Sequence, residues 1–166
     1  YNQIRSLFLD REGSVWIATS TGLDQYQGRA FILYDKKSGV PDNLIWDFID
    51  IGEKMLVASP SGLQLILEDV NSGKFIIQKS FELGGHEPRK IFKTRSGQEI
   101  YVIDANFELW KSTDLQSPQL MTGMNSHVRC LEEVNGEIWV GTDDGIFVIK
   151  NDKPTEQFTS ELGLGG

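Results

Sequence analysis

The sequence predicts an all-β protein made of four tandem repeats, each folding as a small four-stranded antiparallel sheet. Residues 15–23 align without a gap to residues 138–146, and two further copies of this segment lie between them. Short runs of β-branched, aromatic and aliphatic residues alternate with turn signals such as Glu12-Gly13 and Asn135-Gly136. No stretch shows a sustained helical period.

The spacing of the repeats favours one kind of all-β fold. Trp16, Leu56, Tyr101 and Trp139 occupy equivalent positions, at separations of 40, 45 and 38 residues. This period is typical of β-propeller blades, in which a small sheet buries both faces only when a neighbour packs on either side. We therefore expect a segment of about four blades in one domain, with repeats at 1–42, 43–87, 88–125 and 126–166.

Four strands are expected in each repeat. They are predicted near residues 4–9, 15–19, 23–26 and 31–34; 45–50, 54–58, 62–67 and 74–81; 89–94, 99–103, 107–111 and 119–121; and 127–134, 137–141, 145–149 and 155–158.

The recurring aromatic and glycine residues have structural interpretations. Large aromatics at a repeating strand position, namely Trp16, Tyr101 and Trp139, are expected to pack between blades. The glycines at positions 22, 62 and 145 are expected to be turn residues with positive φ.

Composition argues against several classes of function. The 24 acidic and 16 basic residues give a net charge of −8, which argues against a nucleic-acid partner. Cys130 is the only cysteine, so no intrachain disulfide is possible, and we expect a buried, inert thiol. The chain contains no long apolar run and no signal-peptide pattern, so any contact with a membrane is expected only through other parts of a longer protein.

No cofactor or metal is expected. The Gly-rich end at 163–166 does not join a strand to a helix, as a phosphate-binding loop would. The acidic stretches at 10–12 and 143–144 are interpreted as turns, because there is no spaced set of His and Cys ligands and no calcium loop.

The first repeat carries Asn2 and Ile4-Arg5, then Asp10-x-Glu12-Gly13-x-Val15-Trp16-Ile17-x-Thr19-x-x-Gly22-Leu23, and later Phe31-x-x-Tyr34 and Gly39-Val40-Pro41-Asp42-Asn43. Residues 135–146 repeat the signature, whereas the third copy departs from it at Asp104 and Asn106. This pattern resembles the two-component regulator propeller repeat over essentially the whole chain, most strongly in the first and fourth repeats.

The resemblance implies a function. Proteins of this family carry the propeller as the extracytoplasmic sensor of hybrid histidine kinases, common in gut Bacteroidetes, where it responds to oligosaccharides. A membrane helix, a kinase core, a receiver and often a DNA-binding module follow it. The resemblance thus implies a periplasmic, non-enzymatic segment. Residues 158–164 repeat the approach of residues 31–40, so we expect part of a larger propeller.

Candidate ligand-binding residues lie at the starts of the first strands, which conventionally lie nearest the propeller axis. Arg5, Trp46, Arg89 and Arg129 fall at approximately equivalent positions there. Guanidinium groups would bind the carboxylate or sulfate of an acidic oligosaccharide, and an indole would stack on a pyranose ring. The alternative is that each Arg pairs with a neighbouring carboxylate, such as Asp47 or Glu87, beside a solvated channel.

Further candidates lie in the loops that precede these strands, and two other functions remain open. The loop candidates are His86, Glu87, Asn43, Asn125 and His127. A propeller lyase or hydrolase would need a His as general base, helped by Glu87 or Glu132. A scaffold would bind another protein, or a second copy of this chain, through exposed blade edges.

Overall fold

The computed structural model describes residues 3–159 and 161, and over these residues the regular secondary structure is β-strand apart from one short 3₁₀ helix. Four sheets follow one another, each with four antiparallel strands in sequence order. The strands are β1 (Ile4–Leu9), β2 (Val15–Thr19), β3 (Leu23–Gln27), β4 (Ala30–Tyr34); β5 (Asp47–Ile51), β6 (Lys54–Ser59), β7 (Gly62–Asp69), β8 (Lys74–Phe81); β9 (Pro88–Lys93), β10 (Glu99–Asp104), β11 (Leu109–Thr113), β12 (Gln119–Leu120); β13 (Val128–Val134), β14 (Glu137–Thr142), β15 (Gly145–Lys150) and β16 (Lys153–Phe158). A short 3₁₀ helix spans Lys36–Ser38.

The predicted all-β fold of four four-stranded sheets is confirmed. The sheets are called sheets one to four in chain order. Of the repeat residues predicted from the sequence, Asn2, Ser160 and residues 162–166 lie outside the described residues. The chain divides into two compact units, Tyr1–Ile91 and Phe92–Gly166, with the division inside β9.

The core of the first unit lies between sheets one and two. Trp16 is 3% exposed and stacks on Tyr34 at 5.6 Å between ring centroids. Phe75 of sheet two meets both rings edge-on, at 6.2 Å from Trp16 and 5.1 Å from Tyr34. Trp16 therefore packs between blades, as the repeat predicts.

The core of the second unit joins sheets three and four in the same way. Tyr101, only 1% exposed, and Leu109 of sheet three form one apolar cluster with Ile138 and Val140 of sheet four. Trp139 differs from these packing aromatics, because it is half-buried and stacks on Phe158 of its own sheet at 5.6 Å.

Two strands begin two residues later than predicted, because local hydrogen bonds and backbone conformation hold the preceding residues out of the sheet. β5 begins at Asp47 rather than at residue 45, since the Ile45 N–H donates to the Thr19 carbonyl of sheet one at 3.0 Å. β11 begins at Leu109 rather than at residue 107, since Phe107 has a φ of 62° within a turn. The expectation of a buried thiol is also wrong, because Cys130 is exposed.

The turn that delays β11 is organised by a buried carboxylate. Asp104 is 0% exposed, and its Oδ1 accepts hydrogen bonds from the backbone N–H groups of Asn106, at 2.8 Å, and Glu108, at 2.9 Å. Its Oδ2 accepts from the Trp110 indole N–H at 3.0 Å. The third repeat departs from the signature at positions 104 and 106. This departure changes the turn before β11 and leaves the four-stranded sheet intact.

The three glycines predicted to need positive φ all have it, with values of 143° at Gly22, 105° at Gly62 and 126° at Gly145. At Gly22 and Gly145 there is also no room for a side chain. A Cβ atom would lie 2.3 Å from the Tyr34 carbonyl oxygen and 2.2 Å from that of Phe158, respectively. The signature glycine thus lets the start of the third strand of a blade approach the end of the fourth.

Candidate functional site

Three of the predicted ligand-binding residues come together in the first unit. The Arg89 guanidinium carbon lies 3.7 Å from the centre of the Trp46 ring, and that of Arg5 lies 4.6 Å from it. Both distances are within the range of a cation–π interaction. The three side chains, called here the Arg–Trp cluster, are placed by the starts of β1, β5 and β9.

Glu87 fixes the geometry of this cluster. Its Oε1 accepts the Trp46 indole N–H at 2.7 Å, and its Oε2 accepts from Arg89 Nη2 at 3.0 Å. Arg5 Nη2 donates to Gln3 Oε1 at 2.6 Å. The carboxylate pairing considered as the alternative is therefore present at Arg89, and it orients the guanidinium without enclosing it.

The cluster can act chemically as a cationic surface. Two guanidinium groups already lie against the Trp46 ring. A sugar that stacked on this indole would have to displace one of them, so the stacking role predicted for Trp46 requires a rearrangement. A carboxylate or sulfate could instead contact the exposed parts of Arg5 and Arg89.

A β-bulge places two of the candidate arginines. In β1 the pairing with β2 shifts between Ile4 and Ser6, and in β13 the pairing with β14 shifts between Val128 and Cys130. Arg5 in the first unit and Arg129 in the second are the extra residues of these two shifts. A bulge re-aims the side chain of its extra residue and is common beside functional sites.

Asp47, the first residue of β5, is a partly buried carboxylate. Its Oδ1 accepts from the Phe48 N–H at 3.0 Å, and its Oδ2 accepts from the Ile91 N–H of β9 at 2.9 Å. Burial raises the pKa of Asp47, while hydrogen bonds from Ser6 and the two backbone groups oppose that rise. Asp47 therefore links β5 to β9, and it does not pair with an arginine of the Arg–Trp cluster.

The raised pKa of Asp47 predicts a pH-dependent stability. Because the folded state favours the protonated carboxyl, the contribution of Asp47 is fully present below its unfolded pKa, about 4, and is lost as pH rises through the folded pKa. The free energy of unfolding of Asp47→Asn, relative to the unsubstituted chain, should therefore increase from about pH 4 towards about pH 7. Urea titrations of both proteins measure this difference, and a constant difference would contradict the assignment.

In the second unit, Arg129 and His127 converge on one carboxylate. Asp143 accepts from Arg129 Nε at 2.6 Å and Nη2 at 2.7 Å, and the His127 Nδ1 atom lies 3.2 Å from its Oδ2. The hydrogen bonds from Arg129 hold the pKa of Asp143 below its usual range. The Arg129 guanidinium also lies 4.1 Å from the centre of the Phe107 ring.

Phe107, His127 and Asp143 border a cavity of about 610 Å³. The loop between β12 and β13 forms much of its wall, with Met121, Asn125 and His127, and Phe107 and Asp143 complete the polar and aromatic lining. A volume of this size is in the range that holds small organic ligands. Amide, imidazole and carboxylate groups beside an aromatic ring suit a hydroxylated ligand such as a sugar.

The remaining candidates have other surroundings. His86 is half-buried in the loop between β8 and β9, where its N–H donates to the Leu83 carbonyl at 3.0 Å. Asn43 accepts the Lys36 N–H at 3.2 Å and so holds a turn.

The sequence predicts Asp143 to be a turn residue and does not reveal its pairing with Arg129. The pairing of the two residues could have been predicted, because Asp143 directly follows β14, and β14 pairs with β13, the strand that carries Arg129.

Comparison with known proteins supports the resemblance noted in the sequence. The family model described as "Two component regulator propeller" matches residues 1–21, so the first repeat carries that motif. No curated protein matches this chain in sequence.

Three solved structures illustrate the likeness in fold. The extracellular domain of the hybrid two component system BT4673 from B. thetaiotaomicron is 20% identical with a TM-score of 0.72, over 95% of this chain and 22% of that one. PorZ, a surface component of the type-IX secretion system of Porphyromonas gingivalis, is 12% identical with a TM-score of 0.72, over 96% of this chain and 27% of that one. Virginiamycin B lyase from Staphylococcus aureus is 13% identical with a TM-score of 0.69, over 94% and 55%.

These likenesses confirm the fold as a β-propeller segment. The chain spans about a quarter of the length of the first two structures and about half of the third. Within the part of the chain that the structure describes, no helix is long and apolar enough to cross a membrane.

Proposed function

We propose that this chain, whose first repeat is a two-component regulator propeller repeat, is a periplasmic sensor segment of a hybrid two-component system. The match over residues 1–21 carries the proposal. The fold shared with an extracellular domain of such a system supports it. In this proposal a bound ligand rearranges the propeller segment, and the rearrangement is passed to a kinase across the membrane.

The ligand we propose is an oligosaccharide that carries acidic groups. The Arg–Trp cluster supports an anionic group, because Arg5 and Arg89 both lie against the Trp46 ring, and the carboxylate of Glu87 pairs with Arg89. The cavity bordered by His127 and Asn125 supports hydroxyl recognition in the second unit. The net charge of −8 makes the cationic Arg–Trp cluster distinct from the rest of the surface.

The proposal assigns no reaction to this chain. His127 lies beside a carboxylate, as the general base of a lyase would. That carboxylate, Asp143, already accepts two hydrogen bonds from Arg129, so the arrangement is organised around the guanidinium. The predicted helper Glu132 lies on β13 and is exposed.

Calorimetry with the 166-residue chain tests the ligand class. The probes are uronic-acid oligosaccharides and neutral oligosaccharides of the same length. We expect binding of the acidic probe, weakened about 10-fold by Arg89→Ala through loss of a charge-assisted contact. Arg89→Lys should recover only part of the affinity, because an ammonium group lacks the planar fork.

Arg29→Ala provides the matched control, because Arg29 is an exposed residue of the β3–β4 turn. This variant should bind like the unsubstituted chain. Equal affinity for acidic and neutral probes would contradict the proposed anionic recognition. If neither set of probes gave a heat of binding, the proposal that the ligand is an oligosaccharide would be wrong.

A further inference from the structure

A groove opens between sheets one and two, at the opposite end of β1 from Arg5. The β1–β2 turn and the β5–β6 turn border it, and its volume is about 440 Å³. This volume is in the range that holds small organic ligands. Phe8 and Met55 give the groove apolar walls, and both are partly buried against the core of the first unit. It is called here the first groove.

The lining of the first groove is acidic. Five acidic residues and two basic residues line it. Asp50 pairs with Arg11 at 3.8 Å. Glu53 and Glu68, by contrast, have neither an ion pair nor a hydrogen bond among the residues that the structure describes. The groove therefore holds negative charge that the chain around it does not neutralise.

A buried amide also lines the first groove. Gln25 is 7% exposed, and its Oε1 accepts a hydrogen bond from the Tyr34 hydroxyl at 3.2 Å. Within the described part of the chain, no group accepts a hydrogen bond from the NH₂ group of Gln25. A polar group that is buried without a partner costs free energy, and a bound ligand that supplies the partner recovers it.

The second unit contains an equivalent groove between sheets three and four, called here the second groove. Its volume is about 420 Å³, and the turn between the first two strands of sheet four borders it. Tyr101 occupies the position of Trp16 in the repeat. Strand pairing places Lys111 opposite Tyr101, as it places Gln25 opposite Trp16. Lys111 is therefore the counterpart of Gln25.

An ammonium group of the chain itself lies in the second groove. Lys111 Nζ lies 2.5 Å from Glu99 Oε1 and pairs with Asp152 of the β15–β16 turn. It also lies 5.7 Å from the centre of the Tyr101 ring. Burial disfavours the charged form, but hydrogen bonds to Asp152 and Glu99 raise the pKa of Lys111. A groove at this position of the repeat thus holds an alkylammonium group among carboxylates.

We propose that the first groove binds a ligand with a primary alkylammonium group, in the place that the Lys111 side chain takes in the second groove. Gln25 is shorter than a lysine and carries no charge, so the carboxylates of the first groove receive their cation from the ligand. Glu68, near the end of β7, pairs with the ammonium group. Phe8 and Met55 contact the aliphatic chain of the ligand. This site is separate from the Arg–Trp cluster and does not depend on an oligosaccharide.

A heteronuclear NMR titration of the 166-residue chain tests the site, with pentylamine as the probe and pentanol as the neutral probe of the same length. We expect pentylamine to cause saturable shifts at the backbone amides around Gln25 and Glu68, and pentanol to cause none. Glu68→Gln should weaken the binding of pentylamine about 5-fold, because it removes a charge that faces the ammonium group. Glu82→Gln is the matched control, since Glu82 is an exposed carboxylate outside the groove, and it should bind like the unsubstituted chain.

A lysine side chain of a peptide and a free aliphatic amine share the proposed chemistry. A capped pentapeptide with one lysine between glycines is therefore titrated beside pentylamine. Tighter binding of the peptide assigns the groove to a lysine of a protein partner, and tighter binding of pentylamine assigns it to a free amine.

Exchanging the counterparts Gln25 and Lys111 gives the sharpest test. Gln25→Lys supplies an ammonium group from the chain and should abolish the binding of pentylamine, whereas the neutral Gln25→Met should keep it. Lys111→Ala empties the second groove, so pentylamine should then also shift the amides around Glu99. Circular dichroism shows whether each variant is folded, and Lys111→Ala carries the test if Gln25→Lys is not. Pentylamine that shifts no amide of the first groove, or that binds folded Gln25→Lys as tightly as the unsubstituted chain, would overturn the proposal.

Discussion

Replacing Trp16 with alanine should lower the free energy of unfolding by about 3–5 kcal/mol, the cost of deleting a large aromatic from a packed core. Trp16 is 3% exposed and contacts Tyr34 in its own sheet and Phe75 in sheet two. The substitution also removes the indole donor bonded to Asp10. Urea unfolding followed by far-ultraviolet circular dichroism measures the change.

Phe31→Ala is the matched control for this prediction. Phe31 is an aromatic residue of the same sheet but is 66% exposed. Its removal should change the free energy of unfolding by less than about 1 kcal/mol at concentrations where the chain is monomeric. Equal effects of the two substitutions would contradict the packing described for sheets one and two.

Replacing Asp104 with alanine should cost about 3 kcal/mol or more, since three donors would lose their acceptor inside the protein. These donors are the N–H groups of Asn106 and Glu108 and the indole N–H of Trp110. Asp104→Asn should cost less, because the amide oxygen keeps one acceptor in place.

The same urea titration measures the effect at Asp104, with Asp144→Ala as the control. Asp144 is an exposed residue of the β14–β15 turn, and its removal should stay within about 0.5 kcal/mol. If Asp104→Ala were as mild as this control, the carboxylate would not organise the turn before β11.

The repeat made most of the fold predictable. Trp16, Tyr101 and Trp139 set the register of the copies, and turn pairs such as Asn135-Gly136 marked the hairpins. Two strand starts were not predictable, because they depend on bonds that the alternation of side chains does not encode. One is the bond from Ile45 to sheet one, and the other is the set of bonds to Asp104.

The sequence predicts which residues form the candidate site, but it does not predict how their side chains are arranged. Equivalence between repeats led to Arg5, Trp46 and Arg89, and the structure brings these three together. The bulges at Arg5 and Arg129 depend on the pairing of whole strands and leave no local mark in the sequence. The roles of Glu87 and Asp143 in orienting guanidinium groups also depend on side-chain contacts across the fold.

We propose that this propeller segment senses a ligand for a kinase. The most direct measurement is the phosphorylation of the complete protein that contains this chain, in membrane vesicles with ATP, with and without an acidic oligosaccharide. We expect the oligosaccharide to change the rate of phosphorylation, and Arg89→Ala to shift this response to higher concentrations of oligosaccharide. A phosphorylation rate that no oligosaccharide changes, or a complete protein without kinase activity, would contradict it.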